Sequence, residues 1–221
     1  MVKIVHLHKR RAGMSVEVFQ DAMATIATHD PAISVLVSYV QSHTLVKGYQ
    51  KGEMLFDAVE EFTFADKNQL RAFASSEMPG TMRCARNALV DAKLSRAMIV
   101  DVYRVKDQPE AADAVKNIEF VNRKPGMELA AFRRYWREVH GPIGSEIPSI
   151  LRYEQNHLEM DEYSGTQEPN YDGLAITWFS STAAMREGSL SEAYETTRAD
   201  EVNFLPAGHL PIIVTREVLI R

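Results

Sequence analysis

The feature that most constrains the fold is an internal repeat that covers nearly the whole sequence. The segment LHKRRAGMSVEVF at residues 7–19 recurs as FVNRKPGMELAAF at residues 120–132, an offset of 113 residues. Further along, SYVQSH at 38–43 matches RYEQNH at 152–157, and FDAVEEFTF at 56–64 matches YDGLAITWF at 171–179. The chain therefore consists of two copies of one unit of about 100 residues, a size that can bury its own core.

In each copy, apolar residues that follow the first strand recur at positions i, i+3, i+7 and i+10. This spacing indicates an amphipathic helix. The two apolar stripes are Val16, Phe19, Met23 and Ile26 in the first copy, and Leu129, Phe132, Trp136 and Val139 in the second. Ser15 stands where an N-cap is expected, and Gly13 and Gly126 mark the turn before each helix.

The rest of each copy predicts two strands, a second helix and a closing strand. The second helices are expected at residues 80–94 and 190–204, and the closing strands at 98–105 and 212–220. Residues 1–106 and 116–221 are the two predicted domains, and the polar run KDQPEAADA joins them. Helices cover one face of such a sheet, so burying the other face requires a second sheet. We therefore predict an α+β fold of two tandem ferredoxin-like βαββαβ units, whose antiparallel sheets pack as an intramolecular α/β barrel.

Composition and charge exclude several classes of partner. The net charge is −5, and the short basic clusters are too small to bind a phosphate backbone, so we expect no nucleic-acid partner. No stretch reaches the roughly 20 apolar residues that a membrane span needs, and the N-terminus does not resemble a signal peptide. We expect a cytoplasmic protein, with no membrane partner, that could form a homodimer through its outer surfaces. The single cysteine, Cys84, does not suggest thiol chemistry.

The motif Tyr-x-Gln-x-His, present in both copies, is the strongest chemical signal. Its residues are Tyr39, Gln41 and His43 in the first copy, and Tyr153, Gln155 and His157 in the second. The strand period of two places each set on one face of a sheet. A histidine can exchange a proton near neutral pH, and a tyrosine hydroxyl can donate to a carbonyl oxygen that develops negative charge. Proton abstraction next to a carbonyl fits this pattern. The alternative is that these polar groups only satisfy one another inside the barrel.

Two further histidines end the predicted first helices. His140 precedes Gly141-Pro142, and His29 precedes Asp30-Pro31. A histidine there can simply interact with the helix dipole, which stabilises by about 0.3–1 kcal/mol. Asp200 and Asn203, at i and i+3 on the second helix of repeat two, could orient a histidine or a ligand, or could be solvated.

Metal and cofactor motifs are weak or absent in the sequence. His6 and His8 alternate on the first strand and point the same way, but no third ligand is fixed by spacing. The second copy has Glu119 and Val121 at these positions. No glycine-rich phosphate loop, nucleophile elbow or zinc motif is present. We therefore expect neither a metal nor a cofactor.

The second copy resembles the EthD family of dimeric α/β-barrel proteins. The resemblance rests on RKPGMELAAFRRYWREVHGP, followed in order by RYEQNH, YDGLAITWF and ADEVNF. The first copy resembles the family through KRRAGMSVEVF, YVQSH and FDAVEEFTF, but has no counterpart of ADEVNF. The resemblance implies a barrel fold, a small hydrophobic ligand between sheet and helices, a pocket role for His140, and an activity loosely among oxidoreductases.

These observations favour a cofactor-independent, EthD-like enzyme of small-molecule metabolism. It would use histidine and tyrosine acid–base chemistry on a hydrophobic aromatic or carbonyl compound, as a dehydratase, cyclase, decarboxylase or oxidoreductase-like enzyme. We expect His140, Tyr153 and His157 to be catalytic. The residues expected to bind the ligand or support the site are Gln155, Asp200, Asn203, Tyr39, Gln41, His43 and His29. One alternative is a binding or accessory protein without turnover, and a second is a haem-binding barrel protein.

Overall fold

A computed structural model describes residues 1–28, 36–75, 80–109, 111, 113–165 and 168–221. It shows eight strands and seven α-helices within these residues. In chain order they are β1 (Val2–His8), α1 (Val16–Thr28), β2 (Ser38–Thr44), β3 (Ala58–Phe64), α2 (Lys67–Ser75), α3 (Gly80–Leu89), β4 (Arg96–Asp107), β5 (Val115–Val121), α4 (Leu129–Tyr135), α5 (Gly141–Ser145), β6 (Ile150–Leu158), β7 (Gly173–Phe179), α6 (Thr182–Gly188), α7 (Glu192–Asp200) and β8 (Ile212–Ile220).

The chain divides into two compact units. The first consists of Met1–Asp101 with Thr215–Arg221, and the second of Val102–Val214. Strands β4 and β8 each contribute residues to both units. Hydrogen bonds order the strands as the closed barrel β1-β3-β2-β8-β5-β7-β6-β4. In the first unit β1 and β2 both pair antiparallel with β3, and in the second unit β5 and β6 both pair antiparallel with β7. The mixed α/β barrel part of the predicted fold is confirmed.

The predicted start of the first helix in each copy agrees with the structure. Gly13 and Gly126 have positive φ angles of 84° and 80°, a conformation that glycine adopts without a Cβ clash. The N–H of Val18 donates to Oγ of Ser15 at 3.2 Å, so Ser15 caps α1 as expected. Phe19 and Phe132, one residue from each stripe, are fully buried.

The end of the apolar stripe in the second copy differs from the prediction. Trp136–His140 is a single π-helical turn between α4 and α5. Val139 was expected on the buried stripe but is 40% exposed, whereas His140 is only 7% exposed. A π turn adds a residue to the helical repeat and shifts the inward face, and such turns are frequent at functional sites. In this turn the buried position is therefore occupied by His140 and not by Val139.

The second helical region of each copy also differs from the prediction. It consists of two helices, α2 and α3 in the first unit and α6 and α7 in the second. Helix α3 ends at Leu89, earlier than the expected boundary. Ser181 and Ser191 each accept a backbone N–H and cap α6 and α7 separately, which explains the break between these two helices. Within the described residues, no helix is long and apolar enough to cross a membrane.

Candidate functional site

The second unit contains a cavity of about 230 Å³ between its strands and its helices. Strands β5, β6 and β7 form one wall, and the π turn with α6 and α7 forms the other. Its polar or charged lining residues are Asn117, Glu119, His140, Tyr153, Thr177, Arg186, Ser189, Tyr194, Thr197, Arg198 and Glu201. Its apolar lining includes Trp136, Ile147, Ile150, Ala175, Phe179, Phe204 and Leu205. The cavity is smaller than the roughly 300–1,000 Å³ of drug-sized ligand sites, so it suits a small and largely apolar compound.

His140 and Asp200 form a hydrogen-bonded pair at this cavity. Nδ1 of His140 lies 2.8 Å from Oδ2 of Asp200. The other carboxylate oxygen, Oδ1, accepts from the Tyr135 hydroxyl at 2.6 Å and from Nδ2 of Asn203 at 3.0 Å. The predicted supporting residues Asp200 and Asn203 therefore lie beside His140, and Tyr135 joins them.

The electrostatics of the pair favour a neutral imidazole with a defined tautomer. Burial lowers the pKa of His140, and the hydrogen bond and negative charge of Asp200 only partly oppose this. Burial would raise the pKa of Asp200, but hydrogen bonds from Tyr135, His140 and Asn203 bring it below its usual value. Because an ionised Asp200 accepts the Nδ1 proton, Nε2 of His140 carries a lone pair and can act as a base.

The Tyr153 hydroxyl is a hydrogen-bond donor at the same cavity. Its oxygen accepts from Nε1 of Trp136 at 3.3 Å and from Nε2 of Gln155 at 3.2 Å. These two donors occupy both lone pairs of the oxygen, which leaves the hydroxyl hydrogen to donate. Burial raises the pKa of Tyr153 to about 12, so the hydroxyl stays protonated at neutral pH.

Two glutamates at the cavity were not singled out from the sequence. Burial raises the pKa of Glu201 to about 7, with Arg198 opposing and Glu119 reinforcing the shift. Glu119 accepts from Nδ2 of Asn117 at 3.0 Å, and burial raises its pKa as well. Glu201 lies within the ADEVNF segment, which was the sequence signal for it. Its raised pKa depends mainly on burial and, among its charged neighbours, on Glu119, which is distant in sequence. A carboxyl that titrates near neutral pH can give or take a proton.

His157 lies apart from this cavity, although it was expected to act together with His140 and Tyr153. It is fully buried, and its Nε2 pairs with Oε1 of Gln155 at 3.1 Å. Burial and the charges of Arg133 and Arg137 lower its pKa to about 3. The lining of the 230 Å³ cavity includes His140 and Tyr153 but not His157. The row Tyr153–Gln155–His157 thus runs along one strand face, as the spacing predicts, and His157 lines a second cavity.

The first unit repeats this row in a different setting. Nε2 of His43 pairs with Oε1 of Gln41 at 3.0 Å, and Nε2 of Gln41 donates to the Tyr39 hydroxyl at 3.1 Å. The Tyr39 hydroxyl in turn donates to Glu60. Burial lowers the pKa of His43 to about 4. His29, the other first-copy site residue, lies outside the described residues.

Glu60 also brings together the one group of possible metal ligands found in the described residues. One ligand atom each from His6, His8 and Glu60 lies within 4.8 Å of the others. Glu60 already accepts from His8 at 2.8 Å and from Nε of Arg86 at 2.9 Å. Burial would raise the pKa of Glu60, but His8 and Arg86 hold it below its usual value. The Arg86 guanidinium thus supplies the positive charge that balances this carboxylate.

Comparison with known proteins finds a domain model that matches part of the second copy and a shared fold for the whole chain. The family model of the EthD domain matches residues 124–207. No curated protein has significant sequence similarity to the chain. An anthrone oxidase-like protein of known structure has a TM-score of 0.62 at 9% identity, covering 100% of this chain and 92% of that chain.

Two other structures are similar over comparable lengths. A presumed monooxygenase from Lactobacillus acidophilus has a TM-score of 0.56 at 14% identity, covering 98% of this chain and 92% of that one. Chlorite dismutase from Candidatus Nitrospira defluvii, in complex with imidazole, has a TM-score of 0.51 at 11% identity, with 99% and 91% covered. At these identities the likeness shows a shared fold and no more. The EthD domain model, in contrast, matches residues 124–207 by sequence, which confirms the resemblance in the second copy.

Proposed function

We propose that the second unit is a cofactor-independent acid–base catalyst that acts on a small aromatic or carbonyl compound. The observation that carries this proposal is the His140–Asp200 pair at a mostly apolar cavity, in which Asp200 binds Nδ1 of His140 and leaves Nε2 unprotonated. Tyr153 adds a hydroxyl donor at the same cavity. A base and an oxyanion donor beside an apolar ligand site are the requirements for removing a proton next to a carbonyl.

The reaction begins with transfer of a proton from the carbon next to the carbonyl to Nε2 of His140. The C–H electron pair forms a carbon–carbon double bond, and the carbonyl π pair moves onto oxygen as an enolate. The Tyr153 hydroxyl donates to that oxygen, and Asp200 stabilises the imidazolium that forms. Glu201, with a pKa near 7, can return a proton to the intermediate. Elimination and cyclisation can follow from this enolate, whereas decarboxylation forms an enolate by loss of CO₂, which the same oxyanion donor would stabilise; one site could therefore support each of these outcomes.

The names of the structural neighbours support an oxidative outcome as one form of this chemistry. Anthrone is a tricyclic aromatic ketone whose acidic C–H bonds are on the ring carbon opposite the carbonyl, conjugated with it through the aromatic rings. Transfer of one of these protons to the base places the negative charge on the carbonyl oxygen in the same way, and the electron-rich anion can react with dioxygen. The cavity volume argues against the haem alternative, because about 230 Å³ is too small to admit a macrocycle without rearrangement.

Exchange of carbon-bound hydrogen for deuterium tests the proton-transfer step directly. Anthrone and the smaller ketone 1-tetralone would be incubated with the full chain in D₂O, and loss of the proton signal followed by NMR. We expect the wild type to accelerate exchange, and His140→Gln to lose about 10²–10⁴-fold of the acceleration. Tyr153→Phe should lose about 10²-fold, as expected for removal of one oxyanion donor. Arg71→Gln, at an exposed helical arginine of the first unit, is the control.

The same experiment separates catalysis from simple binding. Equal exchange rates in the wild type and His140→Gln would contradict the proposed base. Saturable binding of both ketones with no acceleration of exchange would instead support a non-catalytic binding protein.

A further inference from the structure

A second cavity, of about 200 Å³, lies in the second unit beside the buried end of the Tyr-x-Gln-x-His row. It is lined by Tyr103, Arg133, Arg134, Arg137, Glu138 and His157. Three arginines and one glutamate are among these lining residues, so the lining carries more positive than negative charge. Concentrated guanidinium groups attract anions and bind their oxygen atoms in pairs.

His157 contributes a hydrogen-bond acceptor that has no protein partner. Gln155 uses its amide nitrogen to donate to the Trp136 carbonyl at 2.6 Å, so its oxygen must accept from Nε2 of His157. This fixes the proton of the neutral imidazole on Nε2 and leaves a lone pair on Nδ1. Nδ1 is buried and unpaired in the described structure. A buried acceptor of this kind is costly unless something donates to it.

Two of the three arginines at this cavity already contact other groups of the protein. Arg133 donates to the backbone carbonyl of Leu158. Arg137 lies over the Tyr103 ring at 4.9 Å and donates to Oε1 of Glu138 at 3.2 Å. The Arg137–Glu138 pair is about half exposed on both sides, and such surface pairs contribute little, so Arg137 can exchange this partner for a ligand.

The first copy shows that the histidine row does not itself require these arginines. At the offset of 113 residues, Arg133, Arg134 and Arg137 correspond to Gln20, Asp21 and Ala24. Asp21 contributes negative charge near His43, the opposite sign to the charges near His157. The arginine cluster is therefore a property of the second copy alone.

We propose that this second cavity binds a small oxyanion that also carries a hydroxyl hydrogen, with hydrogenphosphate as the simplest example. The oxyanion oxygens would bind Arg134 and Arg137, and the hydroxyl would donate to Nδ1 of His157. An α-hydroxycarboxylate has the same combination of groups. This site stands independently of the proposed catalytic function, because none of its six lining residues lines the larger cavity.

Paired anions that differ in the hydroxyl hydrogen test the proposal. Inorganic phosphate would be compared with sulfate, and glycolate with acetate, by calorimetric titration of the full chain at pH 7 and constant ionic strength. We expect one hydroxylated member to bind about tenfold or more tightly than its partner, the contribution of one good hydrogen bond to a buried acceptor. The pair that shows the difference identifies a phosphate or a hydroxycarboxylate ligand.

Two variants and one spectroscopic signal localise the binding. Arg137→Gln should weaken it about tenfold or more, whereas Arg71→Gln, at an exposed helical arginine, should leave it unchanged. The ¹⁵N resonance of His157 Nδ1 should shift on binding, because its lone pair becomes hydrogen bonded. Equal affinity within each pair of anions would overturn the proposal. So would binding that Arg137→Gln leaves intact, or no binding of any of the four anions. None of these outcomes depends on whether the larger cavity catalyses deuterium exchange.

Discussion

Truncation of Trp136 provides a direct test of the core that supports the candidate active site. The indole is only 1% exposed and packs at ring-centroid distances of 5.6 Å from Phe132 and 4.3 Å from His157. It also donates Nε1–H to the Tyr153 hydroxyl. We expect Trp136→Ala to destabilise the protein by about 3–5 kcal/mol, as truncation of large core aromatics does, and Phe132→Ala to fall in the same range.

The magnitude follows from two contributions. Burial of an aromatic side chain removes about 150–250 Å² from water, which at about 25 cal/mol per Å² corresponds to about 4–6 kcal/mol before the surroundings relax. The lost hydrogen bond to Tyr153 contributes about 1 kcal/mol. Trp136→Phe retains most of the packing and loses only the outer ring and the donor, so it should cost about 1–2 kcal/mol.

Equilibrium unfolding in urea, followed by far-UV circular dichroism, measures these effects. Val139→Ala is the matched control, because Val139 lies in the same π turn but is exposed. It should change the free energy of unfolding by less than about 0.5 kcal/mol. A loss below about 1 kcal/mol for Trp136→Ala would refute the packing described here, and a large loss for Val139→Ala would mean that the inward face of the turn is misplaced.

Three further predictions concern packing and protonation. Gly173→Ala should destabilise the protein by about 1–3 kcal/mol in the same urea assay, because a Cβ at this position would lie 2.7 Å from Cζ3 of Trp136. Gly144→Ala should be tolerated, because a Cβ there would lie 3.5 Å from its nearest neighbour. The pKa of His157 is about 3 in the folded protein against an ordinary 6.5, so the unfolded state binds the proton more readily. The free energy of unfolding should therefore fall as the pH drops from about 6.5 toward 3, and it should fall less steeply in His157→Gln. The side-chain carboxyl carbon of Glu201 should titrate near pH 7 by ¹³C NMR, and a midpoint near 4.5 would remove it as a proton donor at neutral pH.

The parts of the fold that were predictable from sequence depend on local patterns. The glycine turns, the cap at Ser15 and the start of each apolar stripe are set by residues within a few positions of one another. The π turn is different, because Val139 and His140 exchange places through one added residue in the helical repeat. An apolar pattern alone favours the valine, so sequence periodicity predicted the wrong inward residue.

The candidate site was predictable to the extent that it follows strand alternation and helical spacing. The row of Tyr153, Gln155 and His157 is hydrogen bonded along one strand face, as the period of two implies. The separation of His157 from the larger cavity and the raised pKa of Glu201 depend on contacts between distant segments. These are properties of tertiary burial, which no local pattern encodes.

One aligned sheet position differs between the two copies in a way that bears on the larger cavity. Glu60 is opposite Gln41 across β2 and β3, and Ala175 is opposite Gln155 across β6 and β7, so the two residues are equivalent in register. In the first unit the Glu60 carboxylate accepts the Tyr39 hydroxyl hydrogen. In the second unit the methyl group of Ala175 lines the cavity instead. The replacement removes a carboxylate from the wall and, within the described structure, leaves the Tyr153 hydroxyl hydrogen without a protein acceptor. The same sheet position therefore holds an ionic network in one copy and borders a cavity with an unpaired hydroxyl hydrogen in the other, and our proposal places the chemistry in the second unit for this reason.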